Sequence, residues 1–159
     1  MMPPMCGIRF FLNLVALALA VLPPSPAGAQ ERQNSLRVVE IRPLRFGMIA
    51  RSGQSGIVRV TPDGRQLCMN IQCLGGAQSG LYAISGTPDV LIQITASATL
   101  LGNDSGAGLS FLPRLSNSTI VVSGNSARSQ LELGGDLRVG AEPDAGTYLG
   151  DFEIIIEYQ

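Results

Sequence analysis

The side chains with the clearest chemical potential are two cysteines and a line of carboxylates. Cys68 and Cys73 lie five positions apart, and Asp151, Glu153 and Glu157 fall on alternating positions near the C-terminal end. Paired carboxylates are the groups that glycoside hydrolysis uses. On alternate positions of an extended strand, however, they share one solvated face, a pattern that protects a sheet edge. The 159 residues include no His, no Lys and no Trp. Without His, the commonest general base and metal ligand are missing. Without Lys, Schiff-base and P-loop chemistry are absent. Two thiols with no His beside them make half a zinc site. Asp89, Asp104, Glu142 and Asp144 follow no calcium-loop spacing. A net charge of −1 argues against a general nucleic-acid binder. The sequence therefore predicts a non-enzymatic protein with no catalytic residue, no metal site and no cofactor.

The elements that must position these residues begin with an address. Arg9 precedes 13 residues, Phe10 to Leu22, whose one polar member is Asn13. Pro23-Pro24-Ser25-Pro26 and Ala27-Gly28-Ala29 follow. A charged start, a short apolar run and a small-x-small site predict a signal peptide over residues 1–29. The run is shorter than the ~20 residues that span a bilayer. The expected mature chain is exported to the periplasm or cell surface, with no membrane insertion after cleavage. Losing Arg9 leaves ten Arg against 12 acids, a charge of −2. That charge is unevenly placed. Residues 30–74 hold seven Arg against three acids, and residues 75–159 hold three Arg against nine. Solvated faces of opposite sign, head-to-tail attraction between copies, or pairing of the first and last strands would each produce this.

Export makes Cys68 and Cys73 a default disulfide, because the periplasm is oxidising. Five residues of straight strand span about 16 Å, whereas a disulfide needs Cα atoms within about 7 Å. A bond therefore requires residues 69–72 to turn back as a hairpin tip. The alternation Leu67, Met69, Ile71, Cys73 points instead to one straight strand. Both readings stand at this level, and the compartment favours the hairpin.

The rest of the mature chain reads as some nine short strands between turn signals. Leu44, Phe46 and Met48 alternate, and residues 57–61 form a β-branched run before Pro62-Asp63-Gly64. Residues 81–85, 90–95, 109–112 and 119–123 are further strands, and 102–108 is a loop. Gln130–Leu133 and Leu137–Ala141 read as two strands joined by a tight Gly134-Gly135-Asp136 hairpin. The final segment is the most regular: Tyr148, Gly150, Phe152, Ile154, Ile156 and Tyr158 occupy one face. Short strands with turns every 8–12 residues predict an all-β sandwich over residues 44–159. Residues 30–43 precede it as an N-terminal arm or a first strand.

That final segment also carries a resemblance. Gly146-Thr147-Tyr148-Leu149-Gly150-Asp151-Phe152-Glu153-Ile154-Ile155-Ile156-Glu157-Tyr158 resembles the G-T-Y-x-G-x-F-x-V-x-V-x-Y ending of an uncharacterised family of exported domains from Gram-negative bacteria. Residues 44–49, 58–64, 85–88 and 137–140 resemble its L-x-F-G-x-I, V-x-V-x-P-D-G, S-G-T-P and L-x-V-G segments. The family is similar to chaperone–usher fimbrial subunits, in which a Gly lies fourteenth from the end and a Tyr is penultimate. Gly146 and Tyr158 hold those places here. The resemblance implies an immunoglobulin-like, pilin-like sandwich of 8–9 strands that lacks its last strand. Its groove would be walled by Gly146, Tyr148, Phe152, Ile154, Ile156 and Tyr158. The partners it implies are copies of the chain or related subunits, and a periplasmic chaperone. Leu36, Val38, Val39 and Ile41 are then a candidate donor strand, or else the domain's own first strand. A self-contained sandwich that binds a ligand or another protein is the alternative.

Overall fold

A computed structural model describes residues 36–123 and 129–159. The expected leader and residues 30–35 of the arm lie outside the described residues. Every regular element among the described residues is a strand, and twelve are present where about nine were expected. The first six are β1 (Arg37–Arg42), β2 (Met48–Ala50), β3 (Gly56–Val60), β4 (Gln66–Met69), β5 (Gln72–Gly75) and β6 (Gly80–Ser85). The others are β7 (Leu91–Ala96), β8 (Thr99–Gly102), β9 (Gly108–Leu115), β10 (Thr119–Val121), β11 (Gln130–Val139) and β12 (Ile154–Tyr158). Among the additions, β8 was not expected, and the stretch 67–73 divides into β4 and β5.

All pairing is antiparallel. A seven-stranded sheet is built around β11. One edge of β11 pairs β6 through Gln130–Leu133 and then β3 through Gly135–Val139. Its other edge pairs β9, and β8 lies beyond β9. β1 flanks β6, and β4 flanks β3. The second layer is the sheet β10-β7-β12, and β2 pairs β5 separately. The layers meet in a shared core. Tyr82, Ile84, Leu131 and Leu133 of the first sheet pack with Ile92 and Ile94 of the second. Val58, Leu109, Phe111, Leu137 and Val139 form a second cluster. Alternation sends these residues inward, and burying each contributes about 1.5–3 kcal/mol.

The expected hairpin at Gly134-Gly135-Asp136 is not formed. β11 runs straight through it as one strand. The glycines serve close approach rather than a turn: a Cβ on Gly134 would overlap the Val60 carbonyl, and one on Gly135 would overlap the Phe111 ring. Asp136 then lies between neighbouring strands. Arg59 Nε and Nη2 bond its two oxygens at 2.6 and 2.9 Å, and Arg114 Nε and Nη2 do so at 3.0 and 2.8 Å. Hydrogen bonds from Arg59, then those from Arg114 and the charge of both, outweigh burial and hold the Asp136 carboxyl well below the usual carboxylate range.

The cysteines follow the hairpin reading. Cys68 and Cys73 are disulfide-bonded with Cα atoms 6.3 Å apart. Asn70, at φ 55°, reverses the chain between β4 and β5. Asn tolerates this left-handed conformation better than most residues, so local turn chemistry overrides the alternation across Leu67–Cys73.

Candidate functional site

Between the two layers lies an open groove of about 1020 Å³. Its first lip is residues 43–51, which follow β1. Its second lip is residues 143–152, which lead into β12. Tyr82, Leu109, Phe111, Leu137 and Val139 form the floor. Three rings tie lips and floor together. Phe46 and Phe152, one from each lip, meet Phe111 edge-to-face, with centroids 5.7 and 5.6 Å apart. This geometry is the favoured one for aromatic pairs. Tyr82 is 7% exposed and donates to Glu40 Oε2 at 3.3 Å. Burial first, then the neighbouring carboxylate, pushes its phenol up to about 12. The floor is therefore apolar and its hydroxyl stays protonated.

The two lips differ in how their backbones are satisfied. On the first lip, Arg45 exchanges backbone bonds with Gln78 at 2.8 Å each way. The Gln78 amide donates to Pro43 O and the Gln66 amide to Phe46 O. On the second lip, Leu149 exchanges backbone bonds with Gly102 of β8 at 2.8 and 2.7 Å. Further on, Ser97 N–H donates to Glu153 O, and Gln159 N–H donates to Leu91 O. Odd-numbered residues thus bond β8 and β7. In an extended chain the next residue's N–H and C=O point the opposite way. Those of Tyr148, Gly150, Ile154 and Ile156 are directed away from β7 and β8, toward the groove side. Among the described residues no strand pairs with that edge. Gly150 permits the arrangement, because a Cβ there would press on Leu101 and the Leu100 carbonyl.

A matching gap exists at β1. Val38 sits opposite the fully buried Ile84 and so faces inward, yet it is 40% exposed.

Of the residues read as a groove wall, Gly146, Tyr148, Phe152 and Ile154 line the groove. Ile156 lies beyond its end, packed on the core, and Tyr158 is about half exposed near Gly86. Leu36, Val38, Val39 and Ile41 belong to the domain's own first strand or its lead-in: β1 is paired to β6 from Arg37 to Arg42, and Leu36 packs on the core. Leu36–Ile41 is therefore not a free arm. The carboxylates divide. Asp151 lies at the groove rim, and Glu153 and Glu157 are exposed on the far side of β12. Among the described residues no group of three His, Cys, Asp or Glu side chains is placed to hold a metal.

Sequence reasoning missed the first lip. The signal was present: the Leu44, Phe46, Met48 alternation predicted a strand, but most of the segment forms only an isolated bridge at Arg45. Residues 43–47 supply side chains to the groove, and only Met48–Ala50 enters a ladder, with β5.

A family model described as a domain of unknown function, DUF4402, matches residues 36–158. The chain belongs to the DUF4402 family. The match opens at Leu36, just before β1, and takes in both lips of the groove. No curated protein and no solved structure matches this DUF4402 chain.

Proposed function

We propose that this DUF4402 chain is an exported, pilin-like structural or adhesion subunit whose sandwich is completed by an added strand. The observation that carries the reading is the edge from Tyr148 to Ile156. Its outward-directed peptide groups border a groove with an apolar floor, and Val38 on the inward face of β1 is 40% exposed. Strand addition draws affinity from main-chain bonds and specificity from pockets for alternate side chains. Phe46, Phe111 and Phe152 would supply those pockets. Export is supported by the leader pattern and by the disulfide, which suits an oxidising compartment. The reaction type is binding, not catalysis.

A second reading has its own support. The pairing of β1 with β6 withdraws Leu36–Ile41 as a strand for a neighbour. A self-contained sandwich that accepts a ligand or a strand from another protein fits that pairing equally well. On either reading the occupant comes from outside the described domain.

The test is hydrogen exchange on the oxidised chain, alone and with a synthetic dodecapeptide of alternating Thr and Val. The amides of Gly150, Ile154 and Ile156 should exchange rapidly in the monomer. They should slow about tenfold or more in the peptide complex or in any self-assembled form. Two results would overturn the reading: amides already slow in the monomer, or amides still fast in the complexes that form.

A further inference from the structure

The two outer faces of the sandwich carry opposite charge, and both expose apolar side chains. Directly paired residues on neighbouring strands point to the same side of a sheet. Arg59 is opposite Asp136, and Arg138 is opposite Ile57 and Ser110; all lie on the outer side of the seven-stranded sheet, since Val58 and Leu137 point inward. Arg37, opposite Ser85, and Arg114, opposite Gly134, join them. Among the described strand residues of that face, only Glu132 and Asp136 oppose these four arginines, and Asp136 is already committed to two of them. Leu67, Met69, Leu112 and Leu100 stand among them, 40 to 67% exposed.

The three-stranded sheet presents the converse. Its inward residues are Ile92, Ile94, Ile120, Ile154 and Ile156. Its outward rows are Val121 beside Leu91, Thr119 beside Gln93 and Glu157, and Thr95 beside Ile155. Glu153 continues that side. Among these described residues there is no Arg, and Val121, Leu91 and Ile155 are 57, 42 and 42% exposed.

We infer that the acidic outer face of β10-β7-β12 in one copy docks on the basic outer face of the seven-stranded sheet in a second copy. The chain's uneven charge thereby becomes a contact. The two faces lie on opposite sides of the sandwich, so the contact is heterologous and each docked copy still offers one free face. Such contacts propagate unless the rotation closes a ring. Three strands about 4.8 Å apart and five residues about 3.3 Å apart make a face of about 14 by 17 Å. That is small for a stable interface, so the contact belongs to the weak class and gains from repetition. It does not depend on the groove, and it leaves the even-numbered edge of β12 untouched.

The experiment is sedimentation velocity on the purified chain across concentration and salt. Reversible self-association should appear at about 0.02 M salt and weaken about tenfold or more by about 0.5 M, because screening shortens the reach of exposed charges. The double variant Glu153→Arg/Glu157→Arg loses the acidic face, and Arg37→Glu/Arg138→Glu loses the basic one. Each should be monomeric alone, and an equimolar mixture should form a one-to-one complex through the two intact faces. Three results would overturn the inference: no association of the parent chain at about 1 mM, association indifferent to salt, or variants that associate alone as the parent does. A mixture that stays monomeric would also overturn it, provided both variants keep the parent's circular dichroism. Assemblies that resist high salt and lose amide exchange at Ile154 and Ile156 report the groove instead.

Discussion

The centre of this domain and its open edge follow opposite rules. Around β11 the buried polar side chains are partnered. Phe111 is 1% exposed, Gly134 and Gly135 admit neighbours within touching distance, and Asp136 accepts from two guanidiniums. Along the second lip, apolar side chains and peptide groups are presented together, and among the described residues no strand lies across from them. Met48 and Leu149, on opposite lips, are 66 and 74% exposed. The difference separates two tasks. The centre supplies the stability that lets the edge remain unfinished, since an unpaired edge is otherwise a liability for aggregation.

Substitutions should break this contrast in a definite order. Phe111→Ala removes the ring that joins both lips to the floor and should cost about 4 kcal/mol in urea unfolding. Asp136→Asn leaves the position filled but weakens charge-assisted bonds, and should cost about 2 kcal/mol. The same carboxylate makes the parent chain acid-sensitive. Its folded pKa lies below its unfolded value of about 4, so the contribution is complete above that value. It is lost as the pH falls through and below it. Unfolding midpoints measured from pH 7 to pH 3 should decline in the parent and decline less in Asp136→Asn. Equal slopes would detach the clamp from acid sensitivity.

The disulfide stands between the two regions. It joins β4 to β5, and β5 holds β2 on the groove lip. Cys68→Ala/Cys73→Ala should lower stability by about 2 kcal/mol, the entropic value for so short a loop. Exchange should rise first at Ile49 and Ala50. At the rim, Met48→Ser and Leu149→Ser should change stability by no more than about 0.5 kcal/mol while weakening peptide binding several-fold. A large stability loss there would show that the rim belongs to the core and would erase the contrast.

Much of the architecture was legible as period. Ile92 and Ile94 alternate and are buried, and Ile154 and Ile156 repeat the pattern in the strand beside them. The Gly134-Gly135-Asp136 stretch was misread, because a glycine pair signals either a turn or a close approach. Only the neighbours decide which, here the Val60 carbonyl and the Phe111 ring. The groove was half legible. Its C-terminal wall follows from alternation in the last segment. The other wall depends on residues 43–47 passing the core with an isolated bridge at Arg45 before β2 pairs β5, and no local pattern encodes where a ladder gives way to a bridge.

The sequence by itself determined the fold class, the absence of His and Lys chemistry, and the inward set of residues on most strands. Side-chain period and residue type are local properties. Tertiary structure alone decided that β11 is continuous, that Arg37–Arg42 is a paired strand, and that among the described residues the final segment pairs on one edge. Those outcomes depend on which strands meet across long stretches of chain, and a backbone donor carries no side-chain label that names its partner.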